Sequence, residues 1–191
     1  MSDDEEREQT SLITLVERSQ DGDAASFAPL VDRFAGSLLR LSYRMLGNMA
    51  DAEDIVQESF MSAWLGLSSL RHPEAFSTWL YQQTVNKCTD HLRRRQKQDS
   101  VSIDNEETGD GVVADTRDDP QRQAEETLTV NDLTRWLQEL PVDLRVCWVL
   151  REVHGLSYAE VSQILDVPES TVRGRLSRAR TALSRAMKEW R

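Results

Sequence analysis

The sequence predicts an all-α protein of two small helical domains joined by an acidic flexible linker. Three observations carry that prediction. Apolar residues recur at helical spacing along most of the chain, with little period-2 alternation and no Asn-Gly hairpin turn. Between residues 98 and 127 the periodicity vanishes and acidic residues crowd together. Near the C-terminal end, residues 155–180 have the pattern of two short helices around a tight turn. At 191 residues the chain has ample length for a buried core.

Taken in order, residues 1–11 are expected to form a disordered acidic tail, too polar to fold. Leu12, Leu15 and Val16 start a short helix that ends at Asp21-Gly22-Asp23. Asp23 or Ser26 can cap the second helix, whose apolar positions run from Phe27 through Leu30, Phe34, Leu38 and Leu41 to Met45. Pro29 is tolerated if Ser26 is the cap and otherwise predicts a kink. Gly47-Asn48 suits the C-terminal end. Asp51 is the expected N-cap of a third helix with Ile55, Val56, Phe60 and Ala63 facing inward. Asp54, Gln57, Glu58 and Met61 project outward from it. That patch is either a solvated face or a docking face for a basic partner.

Residues 67–74 form a loop, and Pro73 and Glu74 open a helix that runs to Lys97. Its inner face is Phe76, Leu80, Val85, Cys88 and Leu92. Trp79, Tyr81, Asn86, Lys87, Arg93, Arg94 and Arg95 interleave aromatic, amide and basic groups. Bases stack on aromatic rings and phosphates need cations, so the mixture suits single-stranded nucleic acid. The alternative is core packing for the aromatics and a solvated basic helix end. After the linker, Leu128, Leu133, Trp136, Leu137 and Leu140 form a helix that stops before Pro141, and Val142 to Val153 form another, ended by Gly155.

The following hairpin is the most informative stretch. Ser157 and Glu160 have the spacing of a capping box. Val161, Ile164 and Leu165 form an apolar face, and Asp166-Val167-Pro168 stops the helix. In the last helix Val172, Leu176, Ala179 and Leu183 make one buried stripe. At about 100° per residue, Ser170, Gly174, Ser177 and Arg178 fall on the opposite face. Arg173 and Arg175 flank the stripe. A helix that is small and polar outward and rimmed with arginine suits a DNA major groove.

The net charge of −10 argues against a nucleic-acid binder until it is located. Residues 1–9 carry a net −4 and residues 99–127 a net −8, so the rest sums to +2. Residues 168–191 hold seven basic residues against two acids. The N-terminus lacks an apolar signal region and no apolar run approaches a membrane span, so a cytoplasmic protein without membrane insertion is expected. Cys88 and Cys147 lack metal or redox spacing and are expected to be small core residues. With no Gly-rich phosphate loop, no metal-ligand spacing and three unrelated histidines, no catalytic residue, metal or cofactor is expected.

The stretches D-A-E-D-I-V-Q-E-S-F-M-S-A-W (51–64), F-S-T-W-L-Y-Q-Q-T-V-N-K-C-T-D-H-L-R-R-R (76–95) and V-P-E-S-T-V-R-G-R-L-S-R-A-R (167–180), with L-P-V-D-L-R-V-C-W-V-L-R-E-V-H-G-L-S-Y-A-E-V between them, resemble the extracytoplasmic-function group of the sigma-70 family of bacterial transcription initiation factors. The resemblance implies sigma region 2 over 12–97, a linker over 98–127 and sigma region 4 over 128–191. It implies an alternative sigma factor that binds core RNA polymerase, both β′ clamp helices and β subunit. Such a factor directs the enzyme to promoters, helps melt them and is controlled by an anti-sigma factor. Asp51, Asp54, Gln57, Glu58 and Met61 would bind polymerase. Trp79, Tyr81, Asn86, Lys87 and Arg93 to Arg95, with the loop from Ser68 to Glu74, would recognise and melt the −10 element. Ser170, Thr171, Arg173, Gly174, Arg175, Ser177, Arg178 and Arg180 would bind the −35 element. Among them, Ser170, Arg173 and Arg178 would face base edges, while Arg175, Arg180 and Arg185 would face phosphates. The competing reading is a stand-alone helix-turn-helix regulator bound to an operator.

Overall fold

The computed structural model describes residues 3–102 and 130–189, and the expected linker lies almost wholly outside them. Among the described residues there are eight α-helices and no strand: α1 (Asp3–Gln20), α2 (Ala24–Leu46), α3 (Met49–Gly66), α4 (Phe76–Ser102), α5 (Val130–Glu139), α6 (Val142–Trp148), α7 (Tyr158–Leu165) and α8 (Glu169–Glu189). Two short 3-10 turns, Leu67–Ser69 and Pro73–Ala75, fill the loop before α4. The all-α expectation holds.

Several boundaries differ from expectation, each for a local reason. The stretch read as a disordered tail is helical from Asp3. Acidic residue types at its start complement the positive pole of a helix, and Leu12 and Val16 are buried further along α1. Asp23 caps α2, accepting from Ala25 N at 2.9 Å and from the Ser26 hydroxyl at 2.7 Å. Pro29 therefore lies inside α2, leaving the exposed Ala25 carbonyl without its helical donor. Gly47 ends α2 in the left-handed region at φ +74° and donates to Tyr43 O. Asn48, not Asp51, is the N-cap of α3, because its side chain reaches Asp51 N at 3.1 Å. α4 continues five residues beyond Lys97, into the segment assigned to the linker.

The helix expected over 142–153 changes character at Val149. There the backbone widens into a π turn, Val149–Val153, with His154 N donating to Val149 O at 3.2 Å. The wide turn shifts the register of the residues that follow.

α2 is the central rod of the first half, packed by α1, α3 and α4. Phe27 sits edge-on to Phe60 and Trp64, and Phe34 edge-on to Phe76. In the second half α8 is the rod, packed by α5, α6 and α7. Val172, Leu176, Ala179 and Leu183 are all buried, as their spacing predicts. The two halves pack on each other, and their buried apolar side chains form one continuous cluster. α5 and α6 lie against α2, and α7 lies against α4.

The seam between the halves is polar at one corner, where α2 ends. Gln138 donates from Nε2 to Arg44 O at 3.0 Å, and Arg44 reaches the Thr134 hydroxyl at 2.5 Å. Arg145, 5% exposed, donates to Met45 O, to Gln138 Oε1 at 2.6 Å and to the carbonyls of Gln138 and Leu140. A buried guanidinium must be hydrogen-bonded to offset its desolvation. Met45 O at the negative end of α2, with the Gln138 and Leu140 carbonyls at the end of α5, supplies acceptors and a favourable dipole. No spacing pattern in the sequence marks Arg145 for this role.

Candidate functional site

Three surfaces carry the residues singled out by sequence. The first is the outer face of α3. Helical geometry places residues 54, 57, 58, 61 and 65 on one side while Ile55, Val56, Ser59, Phe60 and Ala63 face the core. Asp54, Gln57 and Glu58 are exposed, Met61 is 66% exposed and Leu65 is 77% exposed. Sequence reasoning stopped at Met61 and missed Leu65, whose i+4 spacing from Met61 is the signal that extends the stripe. The Met61–Leu65 pair thus exposes apolar surface beside the carboxylates of Asp54 and Glu58. Asp51 lies apart from this stripe, half-buried and 3.4 Å from His91 Nε2 of α4.

The second surface is α4. Lys87 meets Glu58 at 3.7 Å, which joins a candidate nucleic-acid residue to a candidate docking residue. Asn86 is exposed, as are Arg93, Arg94 and Arg95. Arg93 pairs with Asp90 at 3.3 Å, so part of the basic helix end is locally neutralised.

The two aromatic candidates on this helix stand in packed surroundings. Tyr81 is only 8% exposed and lies in the seam, its hydroxyl 3.3 Å from His154 Nδ1 and its ring edge-on to that imidazole. It is no stacking platform in this arrangement. Trp79 is half-buried against Phe76 and beside Gly66, so core packing accounts for it. Burial pushes the Tyr81 phenol up and the His154 imidazole down to about 4, with Arg40 adding to the latter. His154 is therefore neutral, and its Nε2 is buried without a hydrogen-bond partner.

The third surface is α8 with its leading turn. The capping box forms in full: Glu160 N donates to Ser157 Oγ at 3.2 Å and Ser157 N to Glu160 Oε2 at 2.7 Å. α7 then stops at Asp166, which adopts the left-handed region at φ 50°. Ser162 fastens the turn by donating to Val167 O at 2.6 Å. Ser170, Gly174, Ser177 and Arg178 are exposed together on the face away from the buried stripe, and Thr171 is half-buried beside them. Nothing stands within 4 Å of a side chain built on Gly174, so that face is open.

The arginine rims are more committed than their spacing implied. Arg173 pairs with Glu169 at 2.9 Å and lies over the Tyr158 ring, whose centroid also has Arg151 within 5.0 Å. Arg180 binds Glu152 at 2.6 Å, which holds its guanidinium more firmly charged. Arg175 is largely covered, with a side chain 21% exposed and 3.4 Å from Asp143. Of the basic residues predicted for phosphates in this helix, Arg180 and Arg185 are exposed. Arg151, Glu152 and Tyr158 were not singled out by sequence; Arg151 and Glu152 lie on the π turn and Tyr158 opens α7.

Both cysteines are buried and unpaired, as expected. Burial raises the Cys88 thiol to about 11, which leaves it inert at neutral pH. Among the described residues no cluster of His, Cys, Asp and Glu has the form of a metal site. No helix among them is long and apolar enough to cross a membrane.

Comparison with known proteins matches this division. The sigma-70 region 2 family model matches residues 30–98, and the sigma-70 region 4 model matches residues 131–188. The chain is 36% identical to the RNA polymerase sigma-H factor of Pseudomonas aeruginosa over 178 residues, covering 91% of this chain and 92% of that protein. It is 36% identical to the ECF RNA polymerase sigma-E factor of Escherichia coli over 182 residues, covering 92% and 94%. Among solved structures, CnrH in complex with the cytosolic domain of CnrY shares the fold at a TM-score of 0.68 and 24% identity, over 94% of this chain and 98% of that one. The sigma factor RpoE in complex with the anti-sigma factor NepR from Bartonella quintana does so at 0.67 and 22%, over 85% and 96%. With both halves matched in order and relatives aligned over nearly their whole length, the chain belongs to the extracytoplasmic-function group of the sigma-70 family and is an alternative sigma factor.

Proposed function

We propose that this sigma factor binds core RNA polymerase through the outer stripe of α3 and reads a promoter at two places. Asp54, Gln57, Glu58, Met61 and Leu65 form the polymerase-docking surface. The loop over 68–74 and the outer side of α4, with Asn86, Lys87 and Arg93 to Arg95, recognise and melt the −10 element. The exposed face of α8 reads the −35 element, with Ser170, Arg173 and Arg178 toward base edges and Arg185 and Arg180 toward phosphates. The domains follow the helices: region 2 ends with α4 and region 4 starts with α5.

The observation that carries this reading is the pairing, in one chain, of the exposed Met61–Leu65 stripe with a polar, unobstructed α8 face rimmed by arginine. A stand-alone DNA-binding protein has no use for the first. The modest positive charge outside the acidic segments fits weak DNA binding by the free chain, with affinity supplied by the polymerase complex. An anti-sigma factor that covers these surfaces completes the proposal, supported by the fold shared with sigma factors solved alongside such partners. The protein acts in the cytoplasm, where polymerase and promoter DNA meet.

Pull-down with purified core polymerase, followed by transcription in vitro on genomic DNA fragments, tests it. Binding with discrete new start sites is the expected result. No retention on core polymerase would defeat the reading.

A further inference from the structure

The loop between α3 and α4 is held from its inner side by a residue that no sequence motif marks. Gln20, the last residue of α1, donates from Nε2 to Leu67 O at 3.0 Å and to Leu70 O at 2.7 Å. A carboxamide nitrogen carries two hydrogens, so each carbonyl takes one. The acceptors lie 47 and 50 residues further along the chain. They bracket the first turn of the loop, Leu67–Ser69, which Leu70 N also closes by donating to Leu67 O at 3.1 Å.

Gln20 itself stands on fixed backbone. Leu12 and Val16 bury α1 in the core. Where the helix ends, Gly22 N donates to Ser19 O and Asp23 N to Arg18 O, both at 3.1 Å, and the Ser19 hydroxyl donates to Leu15 O at 2.7 Å. The second turn of the loop, Pro73–Ala75, packs on α1 as well. Between the two turns the chain is extended at Leu70, with ψ 104°, and at His72, with ψ 94°. Leu70 packs against the core, whereas Ser68, Arg71 and His72 are exposed. The loop therefore has a fastened inner edge and a free outer edge. Hydrogen bonds weaken steeply outside donor–acceptor distances of about 2.7–3.2 Å, so a loop shifted by about 1 Å changes which bases it can hold.

We propose that Gln20 is a positioning residue for −10 recognition: by fixing Leu67 O and Leu70 O it sets the geometry of the 68–74 loop, and with it the choice among −10 sequences. This inference rests on the reading of that loop as the base-selecting element. Gln20 precedes the residues 30–98 matched by the region 2 family model, so this determinant lies outside the stretch that carries the family pattern.

Two substitutions in the full-length chain test it. Gln20→Glu removes both donors and sets a carboxylate against two carbonyl oxygens. Gln20→Met keeps a side chain of similar length without any donor. Each is assayed with core polymerase on one promoter found among genomic fragments, and on templates that differ from it by single bases in the −10 or −35 element. The expected result is a change of at least fivefold in the ratio of transcription between −10 templates, with the ratios between −35 templates unchanged. A merely structural defect lowers every template together and leaves both sets of ratios intact; that result overturns the proposal. Loss of the helical circular dichroism signal in both variants would make Gln20 a core residue and also overturns it. Amide hydrogen exchange over residues 66–72 should quicken at least fivefold in the variants while exchange in α2 holds; unchanged loop exchange counts against the anchor equally. Arg71→Ala/His72→Ala, on the same templates, separates the two readings. If it shifts the −10 ratios and the Gln20 variants do not, the anchor fails and the loop reading stands. If neither shifts them, the loop reading fails and the anchor with it.

Discussion

Met61 and Leu65 offer a quantitative test of the proposed polymerase-docking surface. They project from α3 at 66% and 77% exposure, although both are large and apolar. Burying such a side chain completely stabilises by about 1.5–3 kcal/mol relative to leaving it in water. With a quarter to a third of each already covered, docking adds roughly 1–2 kcal/mol per residue. The cost of immobilising the two side chains reduces the pair to about 1–3 kcal/mol. At about 1.4 kcal/mol per tenfold, Met61→Ala/Leu65→Ala should weaken binding to core polymerase roughly 5- to 150-fold. The assay is equilibrium titration of a fluorescently labelled chain with purified core enzyme. Helicity and thermal midpoint should hold, because neither side chain supports the core and alanine favours helix. A change below threefold in a folded variant would refute the assignment of this stripe.

Three further outcomes are expected. Arg178→Ala should cost about 1–3 kcal/mol on promoters that present the preferred base at its position, measured by competition between −35 variants. Equal loss on every sequence would move Arg178 to a phosphate contact. Ser157→Ala removes one bond of the capping box and should lower unfolding free energy in urea by about 0.5–2 kcal/mol, while the same change at exposed Ser177 should not. His154 is held neutral in the seam, with its folded pKa near 4 against an ordinary 6.5. The unfolded chain therefore binds the extra proton first, and stability present above pH 6.5 is lost as pH falls toward 4. His154→Asn should flatten that part of the urea-midpoint profile; an unchanged slope would show that other groups set it.

The π turn over Val149–Val153 makes contacts on two sides of the second half. On the π turn Arg151 lies over Tyr158 at the start of α7 and Glu152 pairs with Arg180 of α8, while His154 at its end faces Tyr81 across the seam. One local widening of a helix thus serves both the DNA-reading unit and its contact with the first half. A strictly regular α6 would rotate those side chains by part of a turn and lose one set of contacts.

What the sequence determined by itself is whatever follows from local spacing. The helical periods, the capping box at Ser157, the buried stripe Val172–Leu176–Ala179–Leu183 and the open face at Ser170, Gly174, Ser177 and Arg178 depend only on residues a few positions apart. The outward stripe on α3 was legible for the same reason, as far as Met61. Helix ends were read less well. Asn48 displaced Asp51 as a cap because cap identity turns on which side chain reaches a free N–H, and both had suitable chemistry.

Only the tertiary structure decided the seam. Tyr81 has the residue type of a nucleic-acid face, but long-range packing buries it against His154. Arg145 has its acceptors from Met45 at the end of α2, a hundred residues earlier in the chain, and from Gln138 and Leu140 at the end of α5. Arg175 lay on the predicted rim, and Asp143 covers it. Local spacing sets which side of a helix a residue occupies, whereas the element packed against that side sets whether the residue is free to act.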